Sequence, residues 1–375
     1  MRNNKTARKT TKGNEIINYM ADTETSFDKE RAKAFTSRAL GILNDGALSL
    51  MMSIGHKTGL FDAMDGQDPA TSAEIAANAE LDERYVREWL SALACGGIVD
   101  YDSSNETFCL PQEHSGLLTR RAGPLNLTVP MQQISLLAEV EDDLVKVFKE
   151  GGGLSYDKFP RFQALMSESS ERRFRGGLVN QVVPLLDMNE ALTAGIDVAD
   201  VGCGSGLACY LLGKEFPNSR FVGFDMSTDG IANASEMAAD LDNVSYEVAD
   251  AAALNQSERF DLVTTFDAIH DQARPKDALA GIFAMLRSGG TYLCVEPKAS
   301  SVLEENMSDP MAPFMYTIST MHCMTVSLAY GGDGLGTAWG HQLATEYLTE
   351  AGFTDIRVEG IRDDRGNNYF ISTKP

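Results

Sequence analysis

The stretch Val198-Ala199-Asp200-Val201-Gly202-Cys203-Gly204-Ser205-Gly206 decides the fold. A short apolar run closes on an acid and is followed by glycines at alternate positions, the pattern of a strand that turns sharply into a helix. Glycine lets the backbone turn and approach a ligand closely, and the free N–H groups of the following helix favour an anion. Leu207 stands where a dinucleotide-type GxGxxG would need its third glycine. Working outward, strand-like runs at 220–225, 244–250, 260–269 and 291–297 alternate with helical patterns at 207–216, 228–240 and 275–286. This alternation predicts an α/β fold with a doubly wound, mainly parallel Rossmann-like sheet, whose ligands sit beyond the carboxyl ends of the strands.

Those strand ends carry acids. Asp200, Asp225 and Asp250 close the first three strands at intervals of 25 residues. Asp225 is placed to accept hydrogen bonds from both hydroxyls of a ribose, and Asp250 to meet an adenine amino group. Met226, Ala251 and Asp267 are the further expected cofactor contacts. The fourth strand exits at His270-Asp271. An imidazole titrates near neutrality and can take the proton of an attacking hydroxyl. Asp271, or Glu296 at the end of the fifth strand, could fix its tautomer.

The chain has 375 residues, 43% of them hydrophobic, and a net charge of −22, so it can bury a large core and divides into more than one unit. Ala34 to Met64 reads as one or two helices. Thr71 and Glu74 then form a capping box, and Asp82 caps a helix from Glu83 to Cys95 with Val86, Trp89, Leu90 and Leu93 at helical spacing. Two short strands, 98–101 and 107–110, follow. This is a winged-helix plan, but residues 71–120 carry nine acids against three bases. Such a surface repels phosphates and excludes nucleic acid as the partner. A role in dimerisation is expected instead. Leu125 to Glu150 reads as helical, and Gly151-Gly152-Gly153 as a hinge.

The DVGCGSG loop, Asp225, Asp250 and His270-Asp271 resemble the class I S-adenosylmethionine-dependent methyltransferases. The likeness extends over roughly residues 35–370 to the winged-helix small-molecule family that includes plant-type O-methyltransferases, and within it to a less-studied branch found in bacteria and various eukaryotes. In that family a His-Asp pair after the fourth strand supplies the general base, usually followed by Trp, and an acid on the fifth strand supports it. Here Gln272 takes the place of the Trp, while Glu296 is present. The resemblance implies S-adenosyl-L-methionine as cofactor, with Asp200, Gly202, Gly204 and Gly206 around its methionine part. It also implies a homodimer in which the winged-helix domain closes the partner's acceptor pocket.

The organisation expected is a disordered tail at 1–30, a winged-helix dimerisation domain at 31–120, a helical bridge at 121–192, and a methyltransferase domain at 193–375. An insertion at 298–340, rich in Met and Gly, is expected to form a lid over the acceptor, with Met321, His322 and Trp339 as substrate contacts. The six cysteines and five histidines show no zinc spacing, so no metal is expected. The basic N-terminus has no apolar run, and the uncharged 311–332 stretch is too polar to span a bilayer, which favours a cytoplasmic protein without membrane contact. The absence of an NPPY tetrapeptide, of a Pro-Cys loop and of basic patches leaves a small-molecule acceptor. Oxygen is favoured because a base is present; a sulfur or amine acceptor stays open, as does a non-catalytic cofactor-binding regulator.

Overall fold

The computed structural model describes residues 27–375 other than Asp363. Most of the expected 1–30 tail lies outside these residues, and the chain is already helical at Lys29. The first helix, Lys29–Thr58, stops at Gly59, whose φ of 75° breaks the α ladder, and Leu60–Met64 follows. The 34–64 stretch is therefore two helices, divided where only glycine turns cheaply.

Thr71 and Glu74 exchange both hydrogen bonds of the capping box ahead of the helix Ser72–Asn78. Asp82 accepts from the N–H groups of Arg84 and Tyr85 and so starts the helix Glu83–Cys95. Val86, Trp89, Leu90 and Leu93 pack inward on Met52 and Phe61. The hairpin β1 (Asp100–Asp102) and β2 (Thr107–Cys109) completes the winged helix. Beyond it the 125–150 stretch forms two helices, Thr128–Ala138 and Glu141–Glu150.

The triple glycine is a docking point rather than a free hinge. A Cβ on Gly153 would stand 1.8 Å from the Thr325 carbonyl oxygen. The next N–H, of Leu154, reaches both that carbonyl at 3.1 Å and the Thr325 hydroxyl at 3.0 Å. The bridge is thereby pinned to the 298–340 insertion, and Leu136, Leu137, Leu154, Phe159 and Val326 bury a common cluster.

The large sheet runs in the order β5 (Val244–Val248), β4 (Arg220–Asp225), β3 (Asp197–Val201), β6 (Phe260–Phe266), β7 (Leu286–Pro297), β9 (Asp364–Thr373), β8 (Thr354–Ile361). β3 to β7 pair in parallel, and β9 is antiparallel to both neighbours. Alternate residues face opposite cores: Ala199, Val201, Val263 and Cys294 to one side, Val198, Leu262, Leu293 and Val295 to the other. The strand order reverses at β3, between β4 and β6, and the crevice at such a switch point is where ligands bind.

Candidate active site

The β3 strand ends in the glycine loop, and Gly206 caps the helix Leu207–Glu215. Gly202, Gly204 and Gly206 all have positive φ, between 55° and 77°. Their surroundings differ. A Cβ on Gly206 would collide with the Tyr246 ring at 2.4 Å, and one on Gly202 with Ala268 at 2.6 Å, whereas Gly204 faces open space. The Phe162–Gly177 helix lies beside this loop, its Ser167 hydroxyl 3.2 Å from that of Ser205. The adjacent Glu168 holds His56 of the first helix at 2.6 Å and Gln132 at 2.9 Å, tying the N-terminal unit to the glycine loop.

The three strand-end acids lie at the carboxyl ends of β3, β4 and β5, and each has a structural partner. Asp225 accepts the N–H of Gly204 and of Ser227, both at 2.8 Å, and so shapes the loop while keeping further lone pairs. Met226 beside it is 62% exposed, an apolar surface at the cleft. Asp250 caps Ala251–Ala253 through the Ala252 N–H and pairs with Arg274 at 3.2 Å, so the helix-cap geometry common for such an acid is present here. Asp200 is buried, accepts from Thr264 at 2.7 Å, and burial with the Asp225 charge pushes its pKa up to about 7 against the Thr264 bond. Asp267, at φ 52°, holds Arg173 at 2.6 Å through one oxygen, and its other oxygen is buried without a partner. An orphaned buried carboxylate oxygen, an exposed apolar side chain and a glycine with free space before it suit a ligand with an apolar ring, ribose hydroxyls and a cationic end.

His270 sits just past β6, 4% exposed. Its Nδ1 lies 2.6 Å from Glu296 Oε2, and its Nε2 lies 3.2 Å from Asp271 Oδ1. Glu296, on β7, also accepts the Ile269 N–H at 2.9 Å and the Trp339 indole N–H at 3.2 Å. Burial pulls the His270 pKa down, but the Asp271 and Glu296 charges outweigh it and hold it well above the ordinary imidazole value. A fixed, carboxylate-backed imidazole of this kind can hold or receive a proton at Nε2.

The expected substrate contacts part company. Met321 and His322 lie on the bridge side of the insertion, where a one-turn π segment, Ser319–Cys323, interrupts the helices. The His322 ring stacks on Phe162 at 3.6 Å, with Tyr156 and Phe159 edge-on. Both its nitrogens are buried without partners, and burial lowers its pKa to about 4. Trp339 is not among them: its ring packs in the sheet core and its N–H is spent on Glu296. Arg173, Tyr156, Phe159, Phe162 and Cys323 were not signalled by the sequence, because only folding brings the bridge and the insertion onto the strand ends. A cavity of about 270 Å³ beside Arg173, Phe174 and Tyr369 includes neither His270 nor Glu296.

The fold and the site define a winged-helix protein with a class I methyltransferase domain. Residues 46–120 match the family described as "Rv2258c-like winged HTH domain" and residues 192–352 the "Methyltransferase domain" family, so the chain joins a winged-helix unit to a methyltransferase domain. Among curated relatives, erythromycin 3''-O-methyltransferase of Saccharopolyspora erythraea is 26% identical over 192 residues, half of this chain and 58% of that protein. Malonyl-[acyl-carrier protein] O-methyltransferase 1 of Ilyobacter polytropus is 32% identical over 97 residues, 25% of this chain and 35% of that protein. The chain thus spans about one third to three fifths of the length of these curated relatives. Human N-acetylserotonin methyltransferase shares the fold with a TM-score of 0.66 at 15% identity, over 94% of this chain and 99% of that one. Mitomycin 7-O-methyltransferase does so with a TM-score of 0.66 at 15% identity, over 92% and 99%. No helix among the described residues is long and apolar enough to cross a membrane.

Proposed function

We propose that this protein is an S-adenosylmethionine-dependent methyltransferase that acts as a cytoplasmic homodimer on the hydroxyl oxygen of a small molecule, with His270 as general base. The observation that carries the reading is the buried 2.6 Å contact between Glu296 and His270 at the strand ends beside the glycine loop. When bound, the cofactor supplies an electrophilic methyl group on a sulfonium. Asp225 would take the ribose hydroxyls, Asp250 and Ala251 would meet the adenine, and Met226 would offer it an apolar surface. Asp267 and Asp200 face the methionine end, and Gly202, Gly204 and Gly206 permit the close approach.

His270 Nε2 would receive the acceptor's proton as the acceptor's oxygen takes the methyl group that the bound cofactor would supply, the sulfur leaving as a neutral thioether. Glu296 keeps Nδ1 protonated, fixes the ring and stabilises the imidazolium, and Asp271 adds a second negative charge beside it. Trp339 positions Glu296. Met321 and His322 face the acceptor beneath the 298–340 lid, which must part from the 121–192 bridge to admit it. The division into 31–120, 121–192 and 193–375 describes these roles. The printed names of the relatives, O-methyltransferases, favour oxygen over sulfur or nitrogen. The acidic winged helix argues against a DNA-bound regulator.

Calorimetric titration with S-adenosylmethionine tests the cofactor step. Wild type should bind, and Asp225→Ala should bind at least about tenfold more weakly, the loss of hydrogen bonds to a charged acceptor. No heat from wild type would remove the whole reading.

A further inference from the structure

Three residues of different ligand chemistry converge where neither the sequence spacing nor the family match assigns a metal. His270, Asp271 and Cys323 offer a nitrogen, an oxygen and a sulfur that all lie within 4.8 Å of one another. Cys323 reaches this point because the π segment of the insertion lays it against the strand-end loop, where its thiol also accepts the Thr337 hydroxyl at 3.1 Å. Tetrahedral zinc holds such ligand atoms about 3.3–3.7 Å apart. His270 Nε2 and Asp271 Oδ1 are already 3.2 Å apart, so the set closes by roughly an ångström of side-chain movement. Two features point to a ligand. Asp271 Oδ1 is buried, and the His270 ring at 3.2 Å is the polar group it meets. Glu296 backs the other ring nitrogen of His270 at 2.6 Å, the carboxylate–histidine arrangement that orients imidazoles on metals.

The geometry points to a zinc-class divalent metal site formed by His270, Asp271 and Cys323, whose occupation shuts off His270 as a base. A thiolate, imidazole and carboxylate set selects zinc over magnesium or calcium. Binding displaces the thiol proton and the proton on His270 Nε2 to solvent, leaves a fourth position for water, and occupies Nε2, the atom that would receive the acceptor's proton. The inhibition rests on the proposed function; the metal site does not.

Cobalt(II), which reports thiolate ligation by its charge-transfer absorption, is the probe. Titration of the full chain should give a cobalt–thiolate band saturating at one ion per chain. Cys323→Ser should abolish the band and weaken zinc in a chelator competition by more than about 100-fold, beyond the loss expected from an outer-shell partner. Glu296→Gln, which removes only the outer partner, should cost about 10–100-fold. S-adenosylmethionine calorimetry and thermal melting verify that each variant folds. Zinc at one equivalent should lower methyl transfer in extract by at least about tenfold in wild type and far less in Cys323→Ser. A missing band in wild type, or one unchanged in Cys323→Ser, overturns the site; zinc activation that Cys323→Ser removes overturns the inhibitory role. Cobalt bound by a protein that ignores S-adenosylmethionine would sink the proposed function and leave the site standing.

Discussion

Glu296 Oε2 lies 2.6 Å from His270 Nδ1, and both side chains are closed off from solvent. The carboxylate is itself held by the Ile269 and Trp339 N–H groups, so the imidazole is fixed from β7 through one buried acid.

The Asp271 and Glu296 charges hold the His270 pKa above its usual 6.5 against the opposing effect of burial. The base works only when unprotonated. With a chelator present, kcat/KM should therefore rise with pH, its acid limb lying above pH 6.5. Glu296→Gln removes one of the two charges and should move the limb to lower pH. It should also cut the plateau by up to about 10⁴, as when the orienting carboxylate of a serine-protease triad is neutralised. A limb unmoved by the substitution would separate His270 from the rate.

Asp200 sets stability against function. Burial, with the Asp225 charge, raises its pKa to about 7 from 3.8. The folded protein therefore binds a proton that the unfolded chain has lost, and stability falls as pH rises from about 4 to about 7. Above that the buried charge costs up to about 4 kcal/mol. Asp200→Asn should raise the Tm at pH 8, change it little near pH 4, and weaken S-adenosylmethionine binding. Calorimetry and thermal melts at the two pH values read both effects.

The loop glycines should divide by what a methyl group would strike. Gly206→Ala collides with Tyr246 and Ala234 at a positive φ, which should cost about 2–4 kcal/mol of stability. Gly204→Ala meets no protein atom within 4 Å. Its backbone strain should cost only about 1 kcal/mol, with the main loss in cofactor affinity. Melting curves paired with cofactor titrations distinguish the two patterns.

Phe35 and Leu43 on the first helix are 69% and 68% exposed. Apolar side chains this open on one helix favour a second copy as the covering surface. Wild type should sediment as a dimer, and Leu43→Asp should shift it toward monomer without lowering helix content. A monomeric wild type would remove the homodimer.

The parts legible in the sequence are those that local chemistry dictates. The capping box of Thr71 and Glu74, the cap at Asp82 and the glycine loop after Asp200 each specify their own backbone, and the strand–helix alternation implies a mainly parallel sheet without fixing its strand order. Asp250 shows the limit: an acid at a strand end serves equally as cap and ligand, and in the structure it caps Ala251–Ala253. Trp339 reads as an acceptor contact because it lies in the insertion, yet it packs behind Glu296. Gly153 reads as flexible, yet its missing Cβ is what lets Thr325 come against it. Cys323, 52 residues after Asp271 in the chain, meets it only through the packing of the insertion on the strand ends.

The most direct test is transfer of labelled methyl groups from S-adenosylmethionine into small molecules of cell extract, with wild type and His270→Gln side by side. Wild type should label a low-mass product carrying a methyl on oxygen. His270→Gln should bind the cofactor nearly as well and label at least about 100-fold less, the scale of general-base catalysis. A wild type that labels nothing, or a His270→Gln that labels equally, would contradict the account.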